Sequence, residues 1–184
     1  MIFSHDTEHS LQCIVDLVNS APGPGSAETL GDVAALQRFV ERHRVSDIGP
    51  LAEDDVAAVH RLRERIRGIF SATSDREAAA GVNAVIAESP VTPRLTDHDG
   101  YDWHMHYFTP GAQLAEHLAV DCGIALGHVV ASGERDRLRT CDAPDCDQVL
   151  VDLSRNRSKR YCDARTCGNR LHVAAYRERQ RALG

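Results

Sequence analysis

Aromatic side chains are scarce in this chain: phenylalanine, tryptophan and tyrosine make up 5% of its 184 residues, with a single tryptophan. A core short of large rings must lean on Leu, Val, Ile and Ala, and that composition favours helices. Long apolar runs are missing too. None approaches the roughly 18 residues that span a bilayer, and the opening "MIFSHDTEHS" has neither the basic start nor the apolar stretch of a secretory signal. The expectation is a cytoplasmic protein with no membrane partner. No G-x-S-x-G, Walker A, dinucleotide-binding or H-E-x-x-H pattern occurs, so nothing argues for an enzyme.

Two features stand out against this background. Four of the six cysteines form the pairs Cys141-x4-Cys146 and Cys162-x4-Cys167, and the paired spacing is the chain's sole internal repeat. The net charge of -6 also conceals a split. Residues 1–134 carry 9 basic and 20 acidic side chains (-11), residues 135–184 carry 12 basic and 7 acidic (+5). An acidic body repels a polyanion; a basic end segment attracts one.

Apolar periodicity and breakers divide the chain. Leu11, Ile14, Val15 and Val18 lie on one helical face, ended by "APGPG". A second helix starts after Asp32, a good N-cap, and buries Val33, Leu36 and Val40. A third runs from about Glu53 to Ser71 with Val59, Leu62, Ile66 and Phe70 inside and Arg61, Arg65 and Arg67 on a solvated face. A fourth covers about Asp75 to Glu88, and a fifth about Ala112 to Ala131 with Leu114, Leu118, Ala125 and Val129 inward. Between them "PVTPRLTDHDGYDWHMHYFTP" reads as a β-hairpin around an Asp-Gly turn. The predicted fold is mainly α with a β-hairpin: a helical N-terminal domain over 1–134, open to sensing or dimerisation, and a small C-terminal four-cysteine zinc module over 135–184 that ends in a helix.

The zinc assignment follows from spacing and setting. In a reducing compartment, four regularly spaced cysteines hold a metal rather than disulfides. Four thiolates from two tight turns suit a closed tetrahedral Zn²⁺ site; with no position left for water, the zinc is structural. The symmetric x4 pairs do not match ferredoxin spacings. Zinc with four thiolates carries a formal -2, which Arg139, Arg165 and Arg170 can offset by donating to sulfur. The remaining surplus, clustered in "SRNRSKR" and "GNRLHVAAYRERQR", is available for phosphate. The last helix starts at or just after Cys167, with Leu171, Ala174 and Ala175 inward and Arg170, Arg177 and Arg181 outward. Asn169 and Arg170 fall in its first turn, where helix-end amides already favour an anion.

Cys167-Gly168-Asn169-Arg170, preceded by "DLSRNRSKRYC", resembles the CGNR zinc finger, and the N-terminal part, through "VDLVNS" and "VHRLRERI", resembles the ABATE domain that precedes this finger in stress-induced transcription regulators of bacteria. Tyr161 stands where the family commonly has tryptophan, leaving the ligands untouched. The resemblance implies a DNA-binding regulator with one structural zinc on Cys141, Cys146, Cys162 and Cys167. Its candidate nucleic-acid surface is Arg155, Arg157, Lys159, Arg160, Asn169, Arg170, Arg177 and Arg181, with Asn169 the reader of a base. The N-terminal domain would take a small-molecule or stress signal or support a homodimer.

Two rival readings remain. On a strand, His104 and His106 point to one face, and His98, His117 or His128 can approach them, as in a metal- or small-ligand-binding enzyme. The plainer expectation is histidines in solvent with Trp103, Met105 and Tyr107 toward the core. RNA binding ranks below DNA binding because the module offers only Tyr161 and Tyr176 for stacking. Cys13 and Cys122 read as small apolar core residues.

Overall fold

The chain's computed structural model describes residues 3–97 and 103–182 and, within them, every side chain except those of His104, Ala164, His172, Ala174, Ala175, Glu178 and Ala182. His98, the Asp-Gly turn, the His104 side chain and the inward placement of Ala174 and Ala175 therefore lie outside the described residues. Six helices and two antiparallel hairpins follow one another: α1 (His5–Asn19), α2 (Val33–His43), α3 (Glu53–Phe70), α4 (Asp75–Ile86), β1 (Val91–Thr96), β2 (His104–Phe108), α5 (Leu114–Ala131), β3 (Leu138–Thr140), β4 (Val149–Val151) and α6 (Asn169–Ala182).

The caps explain the boundaries. Ser4, Asp32 and Ser74 each accept a backbone N–H at the start of α1, α2 and α4, which satisfies amides that a helix end otherwise leaves unpaired. Arg44 closes α2 in the left-handed region at φ 50°. Apart from Glu116, Asp121 and two histidines, α5 is apolar around its circumference, as a helix is when its neighbours surround it. By length and composition it could cross a bilayer. Here it is the central core helix, with Leu114, Leu118, Val120, Leu126 and Val129 buried among α1, α3, α4 and the first hairpin. Gly123 sets how close α4 can come: a Cβ there would sit 2.4 Å from Cγ1 of Ile86.

The first hairpin is turned over relative to expectation. Trp103 is 67% exposed and Met105 43%, whereas Phe108 is buried. His106 shares the inner side with Phe108 (ring centroids 4.7 Å), and Phe108 stacks on His117 of α5 at 3.6 Å. Side chains alternate with period two, so one residue of offset exchanges the faces. The pairing is irregular between Val91 and Arg94, around Pro93, which has no N–H to give the ladder.

Buried Arg63 of α3 was not read as a core residue from the sequence. It forks onto Glu28 at 2.8 and 2.5 Å and reaches Ser20 Oγ at 3.1 Å. Those guanidinium hydrogen bonds hold the Glu28 carboxyl at about 2. Glu28→Gln leaves the Arg63 charge, among the described residues, with exposed Glu64 alone, 3.7 Å away, and is expected to cost about 3 kcal/mol at neutral pH by urea denaturation. A depressed carboxylate stabilises the fold above its ordinary pKa of about 4.3 and loses that contribution as pH falls through the folded value. The deficit of the variant should therefore shrink between pH 4.3 and about 2.

The second hairpin joins the C-terminal segment to the body. Leu138, Val149 and Val151 belong to the same hydrophobic core as α1, α3 and α5. The Asn19 side chain pairs with both the N–H and the C=O of Val149, each at 2.8 Å, as a neighbouring strand would. Arg67, expected on a solvated face, instead donates to the carbonyls of Val18 (2.8 Å) and Asp147 (2.9 Å), tying α1 to the loop before β4. Three-residue strands are too short to show alternation, so neither β3 nor β4 was legible in the sequence.

Candidate metal centre and nucleic-acid surface

β3 delivers Cys141 and the loop after it delivers Cys146; the returning segment brings Cys162, and a π-helical turn over Ala164–Gly168 carries Cys167 into α6. Backbone hydrogen bonds shape the first turn, Cys141 N–H to the Gln148 carbonyl (2.8 Å) and Cys146 N–H to the Ala143 carbonyl (3.1 Å), and tie it to the second through Asp142 N–H to the Arg160 carbonyl (2.9 Å). Asp163 Oδ1 accepts from the N–H groups of Arg165 (2.8 Å) and Thr166 (2.7 Å), which shapes the turn bearing the last ligand. Beneath it lies a small core of Cys141, Ala143, Leu150 and Cys167, with Tyr161 and Leu171 against it.

All four Sγ atoms lie within 4.8 Å of one another. Cys146 to Cys162 is 3.8 Å and Cys162 to Cys167 is 3.7 Å. A regular tetrahedron with Zn–S of about 2.3 Å has edges of about 3.8 Å, so the donor set fits zinc in number, chemistry and spacing. Burial, then the neighbouring thiols, push Cys162 well up. Cys141 is lowered even though burial acts to raise it, because the N–H groups of Cys162 and Ala143 donate to its sulfur. Crowded thiols titrate reluctantly until a divalent cation takes the place of their protons. The centre holds one structural zinc, and these cysteines are the one such group among the described residues.

The arginines divide by task. Arg170 reaches the Cys167 sulfur at 3.8 Å while forking onto Asp145 at 2.8 and 2.6 Å. Arg139, a second candidate donor to sulfur, turns instead to the Lys159 carbonyl at 3.1 Å and lies 3.8 Å from Asp152. Arg165 makes no side-chain contact to sulfur among the described residues.

Asp152 is the residue that sequence reasoning passed over. It has no solvent exposure. Its carboxylate accepts from Ser154 N–H (2.9 Å), Ser154 Oγ (2.5 Å) and Lys159 N–H (2.8 Å), closing the loop Leu153–Ser158 into one shape. Those hydrogen bonds outweigh burial and hold its pKa below the ordinary range. Buried Arg137 clamps the same loop from the body side, donating to the carbonyls of Asp152 (2.7 Å) and Ser154 (2.9 Å). The D-x-S-R-N spacing was the available signal, since an Asp two residues before a Ser is the pattern of a side-chain-capped turn.

On this frame the predicted nucleic-acid residues are all exposed. Arg157 pairs with Glu134 at 2.9 Å, Arg160 with Asp142 at 2.8 Å, and Arg170 with Asp145. Arg155, Lys159, Arg177 and Arg181 have no carboxylate partner among the described residues. Asn169 opens α6 directly after the π-helical turn. His106 lies elsewhere, half-buried on the inner side of the first hairpin.

Comparison with known proteins agrees with this geometry. A family model for ABATE, described as "putative stress-induced transcription regulator", matches residues 12–142, and one for the CGNR zinc finger matches residues 137–180. The matches overlap on β3, the strand that the body core and the metal module share. No curated protein matches the chain. The chain belongs to the ABATE family and carries a CGNR zinc finger over residues 137–180.

Proposed function

We propose that this protein is a bacterial, cytoplasmic transcription regulator that binds DNA through its zinc module and is not an enzyme. The observation that carries the reading is the pairing of a closed four-thiol centre with a rigid display of cations. The zinc and Asp152 hold the loop bearing Arg155 and Lys159, and the turn containing Cys167 launches the helix bearing Arg177 and Arg181. Exposed cations without carboxylate partners are the ones free to neutralise phosphate and release counterions. Asn169, in the first turn of α6, is the side chain for reading a base edge. The acidic helical body keeps non-specific contact with DNA low and receives the signal, as a monomer or in a homodimer.

Selection of DNA fragments by the zinc-loaded full chain, with RNA offered as competitor, tests the reading. Enrichment of a discrete sequence is expected, and binding should be lost at high salt. Equal recovery of all fragments, or displacement by RNA at lower concentration than by DNA, would overturn it.

A further inference from the structure

A cavity of about 410 Å³ opens between the start of α1, the end of α2, the first hairpin and α5. This lies within the 300–1,000 Å³ range of sites for small organic ligands. Its inner wall is apolar, formed by Cys13, Leu118, Cys122 and Ala125, all buried. Rings line the cavity as well: Trp103, the chain's single tryptophan, with Tyr107 and His106. Exposed Trp103 and Met105, which the hairpin turns outward against expectation, are thereby placed at the mouth.

Two buried ring nitrogens of residues that line this cavity have no hydrogen-bond partner among the described residues, Nδ1 of His117 and Nε2 of His43. His117 is 4% exposed and lines the cavity. Its Nε2 lies 3.2 Å from Asp121 Oδ2, while its Nδ1 has no partner among the described residues. Nε2 of His43 lies 3.2 Å from Asp16 Oδ2, a charge contact outside hydrogen-bond geometry, so the nitrogen with no carboxylate beside it is Nδ1 of His117. A carboxylate can only accept, so in the neutral ring the 3.2 Å approach of Asp121 favours the proton on Nε2 and leaves Nδ1 as the acceptor. A buried acceptor without a donor is unfavourable, and a ligand that supplies the donor gains that stabilisation.

We infer that this cavity binds a compact aromatic molecule bearing a hydrogen-bond donor, a phenol or an aryl N–H compound. The ring packs against Leu118, Cys122 and Ala125, and the donor reaches Nδ1 of His117. Aromatic lining favours a ring over an aliphatic chain of equal size. The donor requirement excludes ethers of the same shape. Binding at this site does not depend on whether the zinc module recognises DNA.

The test uses the zinc-loaded full chain with 2-naphthol and 2-methoxynaphthalene, of nearly the same ring size with and without the donor. Titration calorimetry, with Trp103 fluorescence as a second readout, should show one saturable site for the naphthol and binding weaker by about tenfold or more for the ether, since an unpaired buried polar group rejects the analogue lacking its partner. His117→Phe keeps a ring against Phe108 and removes the acceptor; it should bring the two affinities within about threefold of each other. Ser10→Phe, at a half-buried position on the wall, should abolish both while zinc content and melting stay unchanged. If His117→Phe fails to fold, Asp121→Asn takes its place, since loss of the carboxylate frees the tautomer and should reduce the preference. Absence of saturable binding, equal affinity for both probes, or a preference that survives the His117 or Asp121 change would each overturn the inference.

Discussion

Replacing Cys162 by serine is expected to remove stoichiometric zinc and to unfold the chain from about residue 152 onward, while α1 to α5 persist. A segment of this size buries too little apolar surface to fold alone, and its own core amounts to Cys141, Ala143, Leu150 and Cys167 with a few partly buried neighbours. Structural zinc supplies an apparent ~10–16 kcal/mol to such modules, and removing a ligand forfeits most of it. The loss should stop at β4, because Val149 and Val151 are held by the body's core and by both hydrogen bonds from Asn19. Metal analysis and hydrogen exchange check both halves. Zinc retained at one per chain with a protected α6 would refute a structural centre, and loss of protection through α1 would refute the separation of body from module.

The second large effect concerns the cations. Replacing Arg155, Lys159, Arg177 and Arg181 together by alanine should weaken binding to every DNA sequence alike. It should also flatten the slope of log K against log[salt] by about 0.9 for each phosphate contact removed. Arg160→Ala should change the slope less, because that guanidinium is already engaged by Asp142 at 2.8 Å. Asn169→Ala should leave the slope unchanged and relax one position of the binding site, costing roughly 1–3 kcal/mol against the preferred base. The measurement is affinity for single-base variants of the selected site at two salt concentrations. A uniform loss across the panel for Asn169→Ala would make it a phosphate contact or a support of the metal centre.

Much of the helical body was legible because its signals are local. Asp32 caps α2 as its identity requires, and Val59, Leu62, Ile66 and Phe70 recur at helical spacing and are all buried in α3. The metal centre was equally legible, since a cysteine pair with four residues between its members can form one tight turn whatever surrounds it. The resemblance to the ABATE and CGNR families rested on such contiguous residues, and both family matches agree with it. Failures began where a residue's role depends on a distant partner. Arg67 looked like a solvated cation until the chain brought Val18 and Asp147 to it. Trp103 and Met105 were placed on the wrong face because alternation fixes which residues share a side and not which side meets the core.

Composition, periodicity and cysteine spacing determined that this chain would be a helical body with a hairpin, ending in a basic module stapled by one zinc. Those properties are encoded within a turn or two of sequence, where capping, apolar repeat and thiol chemistry act without help from the rest of the fold. Tertiary structure alone decided that β4 would be shared with the body through Asn19, that buried Arg137 would clamp the cation-bearing loop from the body side, and that Nδ1 of His117, a residue lining the cavity beside an outward Trp103, would be left without a partner among the described residues. Each of these depends on which elements pack together, so each exists only once packing has excluded water and a buried polar atom must find its partner within the protein or remain without one.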